Sequence, residues 1–398
     1  MNHLYWALLV IESSLGLHLV SFSASTKQLT KRILDALSTC LSVLFCGLGD
    51  SKRRALRFRR TATTIFFRWG LVTFILLFCA IPAVNGGTTT FSKNVVASVG
   101  NLTIQPFVLS SGGAIPGIAD FQANTINVPT LNLNGNATND AVYAGTGTLT
   151  VGSSSSGGTF AWGLGGVMCA TQSNGSCTTP TTNAVTYANG GVTFAQGGGG
   201  VFNVLDGRTL YTRGTSTSGP NVELMLNDGA VITNLAGGTW NLLSSLSFSG
   251  GTFNDQGAFQ NPGTANSESS FNNTVFNDTG AVTGTIALTG SGTYTQGSGG
   301  SFDVQVAGAN QFDTVAVQGA ATLAGSLNLT LTNGYTPPVG TKFTIITFGS
   351  ESGTFASVSS GWSVSYNATS AVVTYNGEVD ARGRSGSASA SNLPAVPR

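Results

Sequence analysis

Six times between residues 157 and 302, two small residues are followed by one further residue and then an aromatic. The copies are Gly157-Gly-Thr-Phe160, Gly199-Gly-Val-Phe202, Gly237-Gly-Thr-Trp240, Gly250-Gly-Thr-Phe253, Ser291-Gly-Thr-Tyr294 and Gly299-Gly-Ser-Phe302. Phe160 to Phe202, Phe202 to Trp240 and Phe253 to Tyr294 are 38 to 42 residues apart, and Phe253-Asn-Asp-Gln-Gly257 returns 23 residues later as Phe276-Asn-Asp-Thr-Gly280. Spacings near 20 and 40 match one and two coils of a parallel β-solenoid, in which each coil adds about 4.8 Å and sets like residues above like. The aromatics then form internal ladders, Asn and Thr line the corners, and glycine supplies bends that a Cβ would obstruct.

The surrounding chain agrees. Gly147-Thr-Leu-Thr-Val151, Ser326-Leu-Asn-Leu-Thr-Leu331 and Lys342-Phe-Thr-Ile-Ile-Thr-Phe348 alternate apolar and polar residues, with Gly and Asn between such runs and no sustained helical periodicity. The expected fold class is all-β, a right-handed parallel β-helix or solenoid with a C-terminal β-meander or hairpin cap; a hairpin-rich sandwich is the alternative for the same composition. Charged residues make up only 8% of the chain. A stack whose backbone groups pair from coil to coil can be solvated by Thr, Ser and Asn faces, provided its open ends are capped. The expected layout is a leader over residues 1–86, a solenoid over 87–300, a cap over 301–377 and a flexible low-complexity tail over 378–398.

Residues 1–70 carry ten basic and three acidic residues, and residues 87–398 seven basic and thirteen acidic. The net charge of +1 is thus a cancellation, and the body has no Lys/Arg cluster of the kind a nucleic acid requires, so no nucleic-acid partner is expected. Basic residues from Lys52 to Arg68, the apolar stretch Trp69 to Val84 and then Asn85, Gly86 and Gly87 follow the order of a secretory signal, with cleavage after Ala83 or Gly86. An uncleaved anchor is the alternative, although the stretch falls short of the roughly 20 residues of a spanning helix. A secreted or cell-surface location is expected, with membrane contact only through Trp69 to Val84. Cys169 and Cys177 are the body's two cysteines, eight positions apart around Asn174 and Gly175; they read as a disulfide in an oxidising compartment or as two free thiols.

Residues 292–376 carry a further signal. Gly292-Thr-Tyr-Thr-Gln296, Gln311-Phe-Asp-Thr-Val315, Gly325-Ser-Leu-Asn-Leu329, Asn333-Gly-Tyr-Thr-Pro-Pro-Val-Gly340, Phe343-Thr-Ile-Ile-Thr-Phe348 and Gly353-Thr-Phe-Ala356 occur in this order. The combination resembles the terminal part of bacterial autotransporter-like passenger domains. The resemblance implies a right-handed parallel β-helix, export and a surface role that is often adhesive, and it carries no catalytic residues. It departs from that family after Asn376, where about 20 polar residues stand in place of the alternating strands of a membrane barrel.

Both histidines, His3 and His18, lie in the leader, so the body has no Ser-His-Asp triad, Cys-His pair or His-based metal site to offer. Gly197 to Gly200 lack the Lys-Ser/Thr of a phosphate loop. Acid pairs are the remaining catalytic resource: Asp255 with Asp278, which a 23-residue coil would stack, Asp206 with Glu223, and Asp303 with Asp313. For each, a turn residue bonding its own backbone is the stronger reading, and stacked carboxylates are also candidate Ca²⁺ ligands. Arg208 and Arg213 flank Tyr211 and would face a sugar or pair with Asp206. The sequons at Asn101, Asn136, Asn174, Asn272, Asn277, Asn328 and Asn367 matter only in a glycosylating host. The expected function is an exported structural or adhesin-like protein with a polar Thr/Asn-rich face for surface polysaccharide or extracellular matrix. It is expected to be non-catalytic, with no cofactor and no metal. The alternative is a polysaccharide lyase or glycosidase of the same fold.

Overall fold

The computed structural model describes residues 83–377 except 86, 91–96, 99, 109–113, 137–139, 174–175, 180–183, 196–200, 243–245 and 262–268. The described residues all belong to the unit Phe74–Arg398. The leader up to residue 82, with most of the Trp69 to Val84 stretch, and the tail 378–398 lie outside them, as does Asn174. Among the described residues there are only strands and turns, and no helix is long and apolar enough to cross a membrane.

Three short strands make one coil. Leu246–Ser249, Thr252–Asp255 and Ala258–Asn261 are followed by Ser269–Asn272, Val275–Asp278 and Ala281–Gly284, and each pairs in parallel with its counterpart one coil earlier. The pairing sets Phe248 against Phe271, Phe253 against Phe276 and Phe259 against Val282. Repeated along the chain, this builds three parallel ladders. One is a 13-stranded sheet; the other two, bridged by the long strands Val315–Leu323 and Lys342–Gly353, make up a 22-stranded sheet. This is an all-β parallel β-helix.

The period-2 alternation sorts side chains between inside and outside. In Thr252–Asp255, Phe253 and Asp255 point inward while Thr252 and Asn254 are half-buried on the outer side; one coil on, Phe276 and Asp278 point inward and Val275 is exposed. Inside, Phe248 stacks on Phe271 with ring centroids 4.5 Å apart, and Phe253 on Phe276 at 5.2 Å. Each such side chain contributes about 2 kcal/mol or more by burial, with up to about 1 kcal/mol more per aromatic pair. Gly284, at φ +104°, marks a corner where a Cβ would strike the backbone carbonyl of Asn261 on the coil below.

Five of the six motif aromatics occupy this core: Phe160, Trp240, Phe253, Tyr294 and Phe302. Phe202 does not, and is 40% exposed. The motif also serves two different ladders. Trp240 and Phe302 align through Phe259 and Val282 in one, and Phe253 and Tyr294 through Phe276 in the other.

Parallel stacking continues past residue 300, through the segment read from sequence as a meander. Ser301–Gly308 pairs in parallel with Ser326–Leu331, and Val315–Leu323 with Lys342–Gly353. Phe302, Val304 and Val306 keep the same inward alternation, so nothing ends the stack there. Antiparallel capping comes with the hairpin Trp362–Asn367 and Ser370–Tyr375, which pairs back onto Lys342–Gly353. At the other end Ala83–Asn85 pairs in parallel with Leu102–Gln105, a rung that cleavage after Gly86 would remove.

Candidate binding surface

The in-register corner of one ladder carries a column of polar residues inside the coil: Thr212, Asn234, Asp255, Asp278 and Gln296. All are buried; Asp255 is 1% and Asp278 0% exposed. Asn234 Nδ2 donates to Asp255 Oδ1 at 2.6 Å, and the Gly280 N–H to Asp278 Oδ1 at 2.8 Å. Gln296 Nε2 donates to the carbonyls of Gly300, Ala324 and Ser326, and Trp240 Nε1 to Thr212 Oγ1 at 2.8 Å. The Oδ2 atoms of both aspartates are buried without a hydrogen-bond partner. Burial pushes Asp255 up to about 6 and, with the adjacent Asp255 charge adding to it, Asp278 up to about 7. Burial and the same carboxylates hold the Tyr294 hydroxyl well above its ordinary value. The 23-residue echo does stack the two acids, but facing inward, where no polysaccharide reaches them.

The other candidates are dispersed. Parallel register sets Asn203 against Leu224 and Asp206 against Asn227, so Glu223 lies four residues from the position facing Asp206, about 13 Å at about 3.3 Å per residue. Asp206 is buried and raised by desolvation and by the Asp228 charge, whereas Glu223 is exposed. Asp303 accepts from Asn328 Nδ2 and Asp313 from the Gln305 N–H, each with its own partner.

Arg208 neither faces a sugar nor pairs with Asp206. It is 1% exposed and donates to the carbonyls of Gly145, Cys169 (3.1 Å) and Val185 (3.1 Å) and to Thr186 Oγ1 (3.0 Å). Its guanidinium lies 5.2 Å from the centre of the Tyr143 ring. Burial lowers it to about 10, which leaves it protonated at neutral pH. Arg213 is exposed. Cys169 and Cys177 are joined in a disulfide, and Cys177 packs against the outward apolar cluster of Ile118, Val142, Ala144 and Val167. Among the described residues no group of three His, Cys, Asp or Glu could hold a metal ion.

What the fold does present to solvent is ladders of uncharged polar groups. One outward column runs Tyr187, Tyr211, Thr233, Asn254, Asn277, Thr295, Thr322 and Ser352 in register, all at least partly exposed except Thr233, which is buried. Tyr187 and Tyr211 stack with centroids 5.1 Å apart. Asn277 Nδ2 donates to Asn254 Oδ1 at 2.9 Å, and Asn254 Nδ2 to Thr233 Oγ1 at 3.3 Å. The alternation made this face legible in sequence.

The neighbouring ladder of the same sheet carries a groove of about 290 Å³ whose lining includes Phe202, Glu223, Met225, Ser247, Ser249 and Ser270. The motif had placed Phe202 in the core, so sequence reasoning missed its part here. The preceding glycine run, Gly197 to Gly200, was the signal that this copy differs from the others.

Compared with models of known families and with curated proteins, the chain matches none.

Proposed function

We propose that the protein is an exported, non-catalytic surface or extracellular protein. Its outward Thr/Asn columns attach to surface polysaccharide or extracellular matrix. The observation that carries this reading is the unbroken column from Asn254 to Ser352, five successive rungs of hydroxyl and amide groups that reach the surface, with no charge among them. A repeating array of uncharged donors and acceptors suits a repeating hydroxylated partner, which it can engage by many weak contacts at once. The signal-like leader and the resemblance of residues 292–376 to autotransporter-like passengers support export and an adhesive role. The inward burial of Asp255 and Asp278 and the separation of Asp206 from Glu223 weigh against the polysaccharide-cleaving alternative.

The test is retention of the purified full chain on immobilised polysaccharides and matrix proteins, alongside an assay for released reducing or unsaturated ends. Retention that falls at least fivefold in Asn254→Ala/Asn277→Ala, with no ends released, is expected. Polysaccharide cleavage, or retention by none of the ligands, overturns the reading.

A further inference from the structure

We propose that the groove bounded by Phe202 and Glu223 is a saccharide subsite selective for non-acidic glycans, an assignment that rests on the polysaccharide-binding reading above. The motif that buries Phe160, Trp240, Phe253, Tyr294 and Phe302 leaves Phe202 40% exposed. A large apolar ring left in water where its five counterparts are core is a local rule broken at one place, and such breaks mark functional positions.

The register shows how the groove forms. Phe202 precedes Asn203, which faces Leu224, so Phe202 stands beside Glu223; Glu223 in turn faces Ser247, and Ser247 faces Ser270. In the parallel column two residues along, Met225 faces Ser249. Both columns therefore step from large side chains to serines within one rung, leaving a trough walled by an aromatic and a thioether and floored by hydroxyls. Ser270 Oγ donates to Ser247 Oγ at 3.0 Å, which fixes the floor. At about 290 Å³ the trough is at the small end of ligand sites, large enough for one or two sugar rings.

The chemistry of the walls selects the occupant. The negative face of the Phe202 ring attracts the weakly positive C–H face of a pyranose. Serine hydroxyls donate and accept, and an ionised carboxylate accepts from neighbouring sugar hydroxyls with charge-assisted strength. Among the described residues the Glu223 carboxylate has no ion-pair partner, and residues 87–398 hold thirteen acidic against seven basic residues. An unneutralised carboxylate in an acidic body repels uronate and sulfate groups while accepting neutral or amino sugars.

The experiment measures binding of the full chain to dextran, yeast mannan, chitosan oligomers and alginate at low ionic strength, for the native protein, Phe202→Ala and Glu223→Gln. Circular dichroism and thermal melts check the fold of each. Expected is binding to at least one of dextran, mannan or chitosan, at least tenfold weaker binding to alginate, and a loss of tenfold or more in each variant with an unchanged melt. Alginate bound as tightly as the others, or a glycan bound equally by native protein and both variants, overturns the groove assignment alone. Binding of none of the glycans overturns it together with the reading on which it rests. Glu223-dependent binding of a lysine-rich peptide without any glycan binding reassigns the groove to ammonium groups and equally overturns the proposal.

Discussion

Asp278 lies directly one coil beyond Asp255, in register on paired parallel strands, and the Oδ2 atoms of both are buried without a hydrogen-bond partner. Two like charges so placed cannot both ionise cheaply, and the pair shares the interior with Asn234 on one side and Gln296 on the other. The consequence is a dependence of stability on pH opposite to that of most carboxylates.

A carboxyl raised in the folded state binds more protons folded than unfolded between its two pKa values, so stability falls as pH rises through that interval. From an ordinary value of 3.8 to about 6 for Asp255 and about 7 for Asp278, the contribution is complete below about pH 4 and lost by about pH 7. Asp206 and Asp313 are raised in the same direction. Denaturant unfolding should therefore show a higher midpoint at pH 5 than at pH 8. Asp278→Asn, which removes the second charge and can donate to Asp255, should flatten the difference and stabilise the protein at pH 8 by on the order of 1 kcal/mol.

Arg208 holds together carbonyls from several coils. Arg208→Ala leaves them buried and unpaired and should cost about 3 kcal/mol or more. Arg208→Lys has fewer donors and no planar fork, so it should recover only part of that. Equilibrium unfolding of the two variants against the native chain measures both.

Trp240 and Phe202 belong to the same sequence motif, but Trp240 points into the core from the 13-stranded sheet, whereas Phe202 is exposed beside a strand of the 22-stranded one. Trp240→Ala opens a cavity beneath Phe248 and Phe253 and should lower stability by about 3–5 kcal/mol. Phe202→Ala should change stability by less than about 1 kcal/mol. Comparable losses at the two positions would contradict the inside–outside assignment.

The disulfide closes a short loop, for which chain-entropy arguments give about 2–3 kcal/mol. Cys177→Ser should open the Thr171 to Thr178 segment to proteolysis while the coils remain resistant, as read by limited digestion and mass spectrometry.

The fold was legible because two periodicities coincide: alternation within strands, and aromatic recurrence between them. Phe253 and Phe276, 23 residues apart, sit in register as their echo implied. The cap boundary was not legible, because Phe302, Val304 and Val306 alternate like any other rung, and only pairing direction separates a coil from a meander. The acid positions could be stacked from the spacing, but not assigned to inside or outside. Asp255 follows Phe253 by two residues and so shares its inward face, a parity that burial of a charged group normally argues against. The burial of Arg208 was not legible for the same reason, since its partners are carbonyls that no side-chain pattern reveals.

Successive coils stack with a fixed rise, which pairs of spin labels on the outward column measure. Thr150 precedes Tyr187 in that column, so Thr150 and Asn254 are four rungs apart and Thr150 and Thr322 seven. At about 4.8 Å per rung, pulsed electron paramagnetic resonance should give separations of about 19 Å and about 34 Å, rising linearly with rung number. Distances that fold back on themselves, with Thr322 no farther from Thr150 than Asn254 is, would contradict the stack.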